Sequence, residues 1–206
     1  MLRGLRMITA IVGIFVVPFL LVEIGVIPVE LRRWVYVAVG IVALAVAVKR
    51  YSMREMGVQW ANVRVAVLAY GLFAVVGAAG IVGVALATGR VLRPEWWLAP
   101  HFRYGVLIPV SVAQEFFYRS MLMPMLREVL RSPRMVIVVN AALFTLLHVV
   151  FPDPAIVLPL SFLGGIVFAT LWTRWPNIWL ASATHVVLNA AFTLFCFGGF
   201  ETSCIV

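Results

Sequence analysis

The sequence predicts an all-α, polytopic transmembrane helix bundle of about seven spans (six to eight) around a polar intramembrane cavity. Three observations predict it. Of 206 residues, 64% are hydrophobic and only 12% are charged, against roughly 45–50% and about 25% in soluble domains. Mean hydropathy is +1.09. The apolar residues fall in seven runs, divided by short stretches that hold most of the charge. If a span needs about 20 residues and a connection roughly 5–12, a chain of this length holds six to eight spans. The pattern excludes a soluble enzyme on a single anchor, and a β-barrel, whose strands would alternate. The whole chain, 1–206, reads as one integral membrane domain, with no internal repeat or linker.

The first run, residues 7–22, follows Arg3 and Arg6. It is long for a signal peptide and no small-x-small cleavage site follows, so a retained span is expected. The second run, 34–48, opens at Trp34 and closes at Lys49 and Arg50. Residues 51–62 mix charge with Met53, Met56, Val58 and Trp60, which suits a short interfacial helix or a loop. The third run, 65–88, is rich in Gly and Ala, which permit close helix packing. Residues 89–103 carry Glu95, Trp96, Trp97 and His101, the composition of an interfacial belt. The fourth run, 104–126, differs from the others in holding Gln114, Glu115 and Arg119. A fifth run, 135–150, closes at Phe151-Pro152-Asp153-Pro154. The sixth, 156–172, contains Gly164-Gly165, read as a packing contact, and the seventh, 178–197, precedes a tail holding Glu201.

The 16 basic residues outnumber the 8 acidic ones, for a net charge of +8. They stand singly or in pairs between apolar runs, a pattern that sets topology rather than binding nucleic acid. With seven spans, Arg3, Arg6, Lys49, Arg50, Arg54, Arg64, Arg127, Arg131, Arg134 and Arg174 fall on one side. Arg32, Arg33, Arg90, Arg93 and Arg103 fall on the other. Ten against five predicts a cytoplasmic N-terminus. No organelle signal is evident, so the expected location is the plasma membrane of a bacterium or archaeon. Cys196 and Cys204 make neither a disulfide framework nor a zinc cluster, and Cys204 is third from the end, so the tail is no prenylation box.

An ionisable side chain within the bilayer costs several kcal/mol and marks a functional site by default. Glu115 is twelve residues beyond Arg103 and twelve before Arg127, which places it near the midplane. Arg119 is one helical turn on, so the two can neutralise each other, as in a purely structural ion pair. Gln114 adds two donors and an acceptor that also need partners. In the fifth run His148 shares a stripe with Asn140 and Phe144, and in the seventh His185 and Asn189 are one turn apart. A lone intramembrane histidine is usually a hydrogen-bonded helix contact. Two on separate spans, with a carboxylate and an arginine on a third, are cheapest when gathered in one cavity.

Gln114-Glu115-Phe116-Phe117-Tyr118-Arg119 resembles the E-E-x-x-x-R motif of the CPBP family, the CAAX protease and bacteriocin-processing (Abi-type) group of glutamic intramembrane proteases. Phe144 to His148 is similar to its F-x-x-x-H motif, and His185 to Asn189 to its H-x-x-x-N/D motif. Met56-Gly57-Val58 resembles the "LGL"-like patch often found upstream. The motif-bearing core is about 104–197. The resemblance implies a peptidase in which the position of Gln114, with His148, activates a water. His185 and Asn189 would stabilise the oxyanion, and Glu115 and Arg119 would hold the catalytic groups in place. It implies no cofactor and no metal. The expected partners are a membrane-borne peptide or protein, cleaved near its C-terminus or in a membrane-proximal segment, and the bilayer. Oligomeric state is left open.

Gln114 departs from the family, which has glutamate there. Glutamine keeps the size and hydrogen bonding of glutamate but cannot take a proton. Three readings stand: a substitution introduced to trap an inactive enzyme, a natural pseudo-protease that binds peptides, or an active variant with Glu115 or His148 as base. The rivals are a zinc metalloprotease with Glu115, His148 and His185 as ligands, a non-catalytic membrane immunity or scaffold protein, and a proton-coupled carrier. No H-E-x-x-H helix is present, and Arg119 would oppose a cation beside Glu115.

Overall fold

The computed structural model describes residues 2–28, 31–93, 105, 107–151, 153–195 and 197. Within them the chain forms α1 (Leu2–Phe15), α2 (Val17–Glu23), α3 (Arg32–Arg50), α4 (Val63–Ala87), α5 (Ile108–Glu115), α6 (Leu122–Val129), α7 (Pro133–Leu146), α8 (Pro154–Arg174) and α9 (Ile178–Leu194). A π-helical segment, Phe116–Met121, joins α5 to α6 without a break. The helices α1 and α2 are also one run, interrupted beside Pro18, which has no N–H for the ladder. Seven helical units result, one for each apolar run. The bundle is the helical membrane fold that the composition predicts.

Among the described residues, three helical runs are long and apolar enough to cross a membrane: Leu5–Val22, Val63–Ala87 and Pro154–Arg174. The helices α7 and α9 are apolar but shorter. The outward face of α4 shows why water is excluded as a solvent, since Leu68 is 80% and Val75 68% exposed. Its inward residues Ala66, Tyr70, Ala74 and Ala85 are buried.

Local chemistry fixes the helix ends. Ser132 and Asn177 accept at their side chains from the backbone N–H of Met135 and Leu180, capping α7 and α9. Pro133 and Pro154 stand in the first turns of α7 and α8, where a missing N–H costs nothing. Asp153, just before α8, is the one described non-glycine residue with positive φ, at +58°.

Residues 51–62 form a loop rather than an interfacial helix. It ties the bundle together from one end. Ser120 Oγ donates to Met56 O at 2.7 Å, and Ile178 N–H donates to Gly57 O at 3.0 Å. Asn177 Nδ2 donates to Gln59 O and to Asn62 Oδ1, while Gln59 and Asn62 donate to Pro176 O. Gly57 has φ +70°, and a Cβ there would come within 2.4 Å of the buried Trp172 ring. No other residue type fits both demands.

Several boundaries differ from expectation. The fifth run stops as a helix at Leu146, so His148 stands in the following turn and not on the helical stripe. Its backbone N–H reaches back to Thr145 O, and its own ring nitrogen takes the Phe144 carbonyl that a continuing helix would have used. The seventh run ends at Leu194, beyond which Phe195 and Phe197 pack on Ala85. Glu115 ends α5, eight residues from its start, with six π-helical residues and eight of α6 still to come. It therefore lies on the Ile108 side of this unit's middle, seven residues from Ile108 and fourteen from Val129. Gly165 is a packing contact, where a Cβ would come within 3.1 Å of Ala141, but Gly164 has nothing within 4 Å. Glu95, Trp96, Trp97, His101, both cysteines and Glu201 lie outside the described residues.

Candidate active site

The antiparallel helices α5 and α9 face each other through two polar rungs. In the first, His185 Nδ1 lies 2.7 Å from Glu115 Oε1. In the second, Asn189 Nδ2 donates to Ser111 Oγ at 3.0 Å. Residues 111 and 115 are one turn apart, as are 185 and 189, so the rungs repeat at the helical period. Ser111 Oγ–H in turn donates to Leu107 O at 2.8 Å.

Behind the first rung stands Arg119. Its Nε is 3.5 Å from Glu115 Oε2, and both side chains are 0% exposed. The guanidinium lies against two aromatic rings, 5.0 Å from the Phe144 centroid and 5.2 Å from that of Phe168. Its nitrogens form no hydrogen bond with the described residues. Aromatic faces and one carboxylate thus take the place of water around this cation. The same rings flank the His185 imidazole, at 5.8 and 5.2 Å. The π-helical turn serves this arrangement by burying four successive residues, Tyr118, Arg119, Ser120 and Met121. Asn140, buried on α7, donates to Tyr118 O at 2.6 Å and anchors the turn. Single π-helical turns inside α-helices recur at functional sites.

His148 approaches from the turn after α7. Its Nδ1 is 3.0 Å from Phe144 O, and its ring centroid is 4.8 Å from Phe144 and 5.4 Å from Phe151. Facing a carbonyl, Nδ1 must carry the proton, which leaves the Nε2 lone pair free in the neutral ring.

These groups border one cavity of about 520 Å³ between α4, α5, α8, α9 and the turn after α7. Gln114, His148, His185 and Asn189 line it, with Ser161 and Thr193. The rest of the wall is apolar, including Phe73, Ile81, Leu163 and Leu188. Gln114 Oε1 is buried without a hydrogen-bond partner among the described residues. Four of the six residues singled out in the sequence therefore meet on the cavity. Glu115 and Arg119 do not border it; they stand behind His185. Sequence reasoning missed Ser111, whose only signal is a hydroxyl one turn before Glu115 in an apolar run. It also missed Phe168, the second ring beside Arg119. Among the described residues no group of three His, Cys, Asp or Glu side chains is placed to hold a metal ion.

The arrangement can do acid–base chemistry. One imidazole offers a lone pair, another is oriented by a carboxylate, and an amide side chain offers N–H donors, all at the edge of an apolar chamber. Residues 94–191 match the family described as type II CAAX prenyl endopeptidase, Rce1-like. That segment, just under half of the chain, holds all six predicted site residues and Ser111. That segment is similar to the Rce1-like endopeptidase domain, which is consistent with the CPBP resemblance of its motifs. No curated protein and no solved structure matches the chain.

Proposed function

We propose that the chain is an intramembrane endopeptidase of the glutamic type whose water-activating position is held by Gln114, so that it binds its substrate but cleaves it only when position 114 is glutamate. The observation that carries the reading is the convergence of Gln114, His148, His185 and Asn189 on one cavity, with Glu115 and Arg119 bonded behind them.

Hydrolysis needs a base for water and donors aimed at the developing oxyanion. A carboxylate at position 114, with His148 Nε2, takes one proton from the water. The hydroxyl oxygen then bonds to the scissile carbonyl carbon, whose oxygen gains the negative charge. Asn189 Nδ2–H and, when its ring carries both protons, His185 Nε2–H donate to that oxygen. As the C–N bond breaks, the proton held by the base passes to the leaving amine. Glu115 fixes the His185 ring through Nδ1, and Arg119 balances the charge of Glu115. A glutamine at 114 can hold the water but cannot accept its proton. Glu115 faces His185 and Arg119 rather than the cavity, which disfavours it as a substitute base.

The substrate class is a membrane-borne peptide or protein entering a mostly apolar chamber. The site lies in the half of the bundle that ends near Arg90 and Asp153. With the N-terminus in the cytoplasm, as the basic residues predict, that half is the outer one of a bacterial or archaeal plasma membrane. The test compares this chain with its Gln114→Glu form in liposomes, on an internally quenched peptide with an apolar C-terminal segment. Cleavage that appears with Gln114→Glu supports the reading. Equal, full activity without the change sinks it, and makes His148 the sole base.

A further inference from the structure

Of the second rung between α5 and α9, Asn189 belongs to the motifs that revealed the first, but Ser111 does not. Ser111 is 0% exposed and lies in the first turn of α5. A hydroxyl has one hydrogen, and that of Ser111 is committed to Leu107 O at 2.8 Å. Toward Asn189 it can therefore only accept. The neighbouring group must present N–H, which fits Asn189 Nδ2 at 3.0 Å. One serine thereby decides which way round the Asn189 carboxamide sits.

The orientation matters because the two ends of a carboxamide are opposite in sign. With Nδ2 held by Ser111, its second N–H is the donor that the Asn189 side chain can offer to the cavity it lines. Without Ser111 the group is free to turn over and offer Oδ1, an acceptor that would repel an oxyanion. Thr193, one turn further along α9, bonds the Asn189 backbone carbonyl and does nothing to fix the side chain.

We propose that Ser111 is a positioning residue that sets the amide orientation of Asn189 and so keeps a donor, not an acceptor, pointed at the reacting oxygen. The proposal rests on the reading of Asn189 as an oxyanion donor. It assigns to the hydroxyl at 111 a role in turnover rather than in helix packing alone.

The experiment uses the full chain with Gln114→Glu, in liposomes, on the same quenched peptide. Removing an oxyanion donor costs about 10²–10³-fold in kcat, and Asn189→Ala is expected to fall there. Ser111→Ala is expected to lose about tenfold or more in kcat with KM unchanged, and Ser111→Thr, which restores the hydroxyl, to recover it. The double variant should be no slower than Asn189→Ala alone. A Ser111→Ala enzyme with unchanged kcat, or losses that multiply in the double variant, would overturn the proposal and leave the protease reading intact.

A second measurement needs no turnover. In protein labelled with ¹⁵N at asparagine, Ser111→Ala should move the side-chain NH₂ signals of Asn189, identified by their loss in Asn189→Ala. Those of Asn62, Asn140 and Asn177 should stay in place. Unmoved Asn189 signals overturn the positioning role. Moved signals in a Gln114→Glu protein that cleaves nothing would support the Ser111 contact and overturn the protease reading instead.

Discussion

Two ion-pair clusters in this molecule are built on opposite rules. At one end of the bundle, Arg50 at the close of α3 reaches Glu128 on α6 through two nitrogens, at 3.0 and 2.5 Å, and Tyr51 Oη donates to the same carboxylate at 2.8 Å. Each group there has a close hydrogen-bonding partner, and the pair is about one third exposed. Within the bundle, Glu115 and Arg119 are fully buried, 3.5 Å apart, and Arg119 forms no hydrogen bond with the described residues. The first cluster satisfies its members and stops there. The second holds one histidine in place and passes that orientation to a cavity. The first cluster closes its hydrogen bonds on itself, whereas the second leaves Glu115 Oε2 and the Arg119 nitrogens without a hydrogen bond among the described residues.

The sharpest way to test this contrast is at the cavity edge. A positioned general base contributes about 10²–10⁴-fold, so Gln114→Glu is expected to raise the rate of peptide cleavage in liposomes by that order. No change within the Arg50–Glu128 cluster should do the same. Next in size is the buried pair. Removing one partner of such a pair costs about 3–5 kcal/mol, because the other is left as an uncompensated charge. Glu115→Leu should therefore lower the melting temperature in detergent steeply, and adding Arg119→Met should recover much of the loss. Equal melting of the single and double variants would break the contrast.

Smaller effects belong to the end of the bundle. Gly57→Ala combines a strained φ with a clash on Trp172, and overpacking costs about 1–3 kcal/mol. Glu128→Gln should cost no more than about 1 kcal/mol, an effect that shrinks as salt is raised. The least effect is one of pH. Burial, then the bond to Glu128, pushes the Tyr51 phenol well above its usual range. A raised acid contributes stability while it is protonated, so the contribution is present below the ordinary value of about 10 and is lost as the pH rises through the folded one. Melting followed from pH 8 to 11 should fall in the native chain, and by less in Tyr51→Phe.

The seven helical units were legible because lipid demands long apolar runs, and each run became a helix. The six candidate residues stood out for the same reason, since a polar group in an apolar run is conspicuous, and four of them line one cavity. Less legible was whatever depends on a neighbour. The π-helical turn at Phe116–Met121 answers to packing, since the sequence F-F-Y-R-S-M carries no helix-breaking signal. His148 left the helical stripe because its ring captures Phe144 O, a choice between two donors that spacing cannot decide. Ser111 passed unnoticed because serine is an unremarked guest in membrane helices. Gly57 was visible as part of a motif, but its duty toward Trp172 spans 115 residues of sequence and exists only in the folded chain.

The brevity of α7 carries a consequence for the lipid around it. Its 14 residues span about 21 Å, against a hydrocarbon layer of about 30 Å. Lipid tails beside this helix must shorten, or headgroups and water must dip by several ångströms to meet its end. That end is the turn bearing His148. Bilayer thickness thereby becomes a variable of the site: thin membranes bring the aqueous boundary toward the imidazole, and thick ones draw it away.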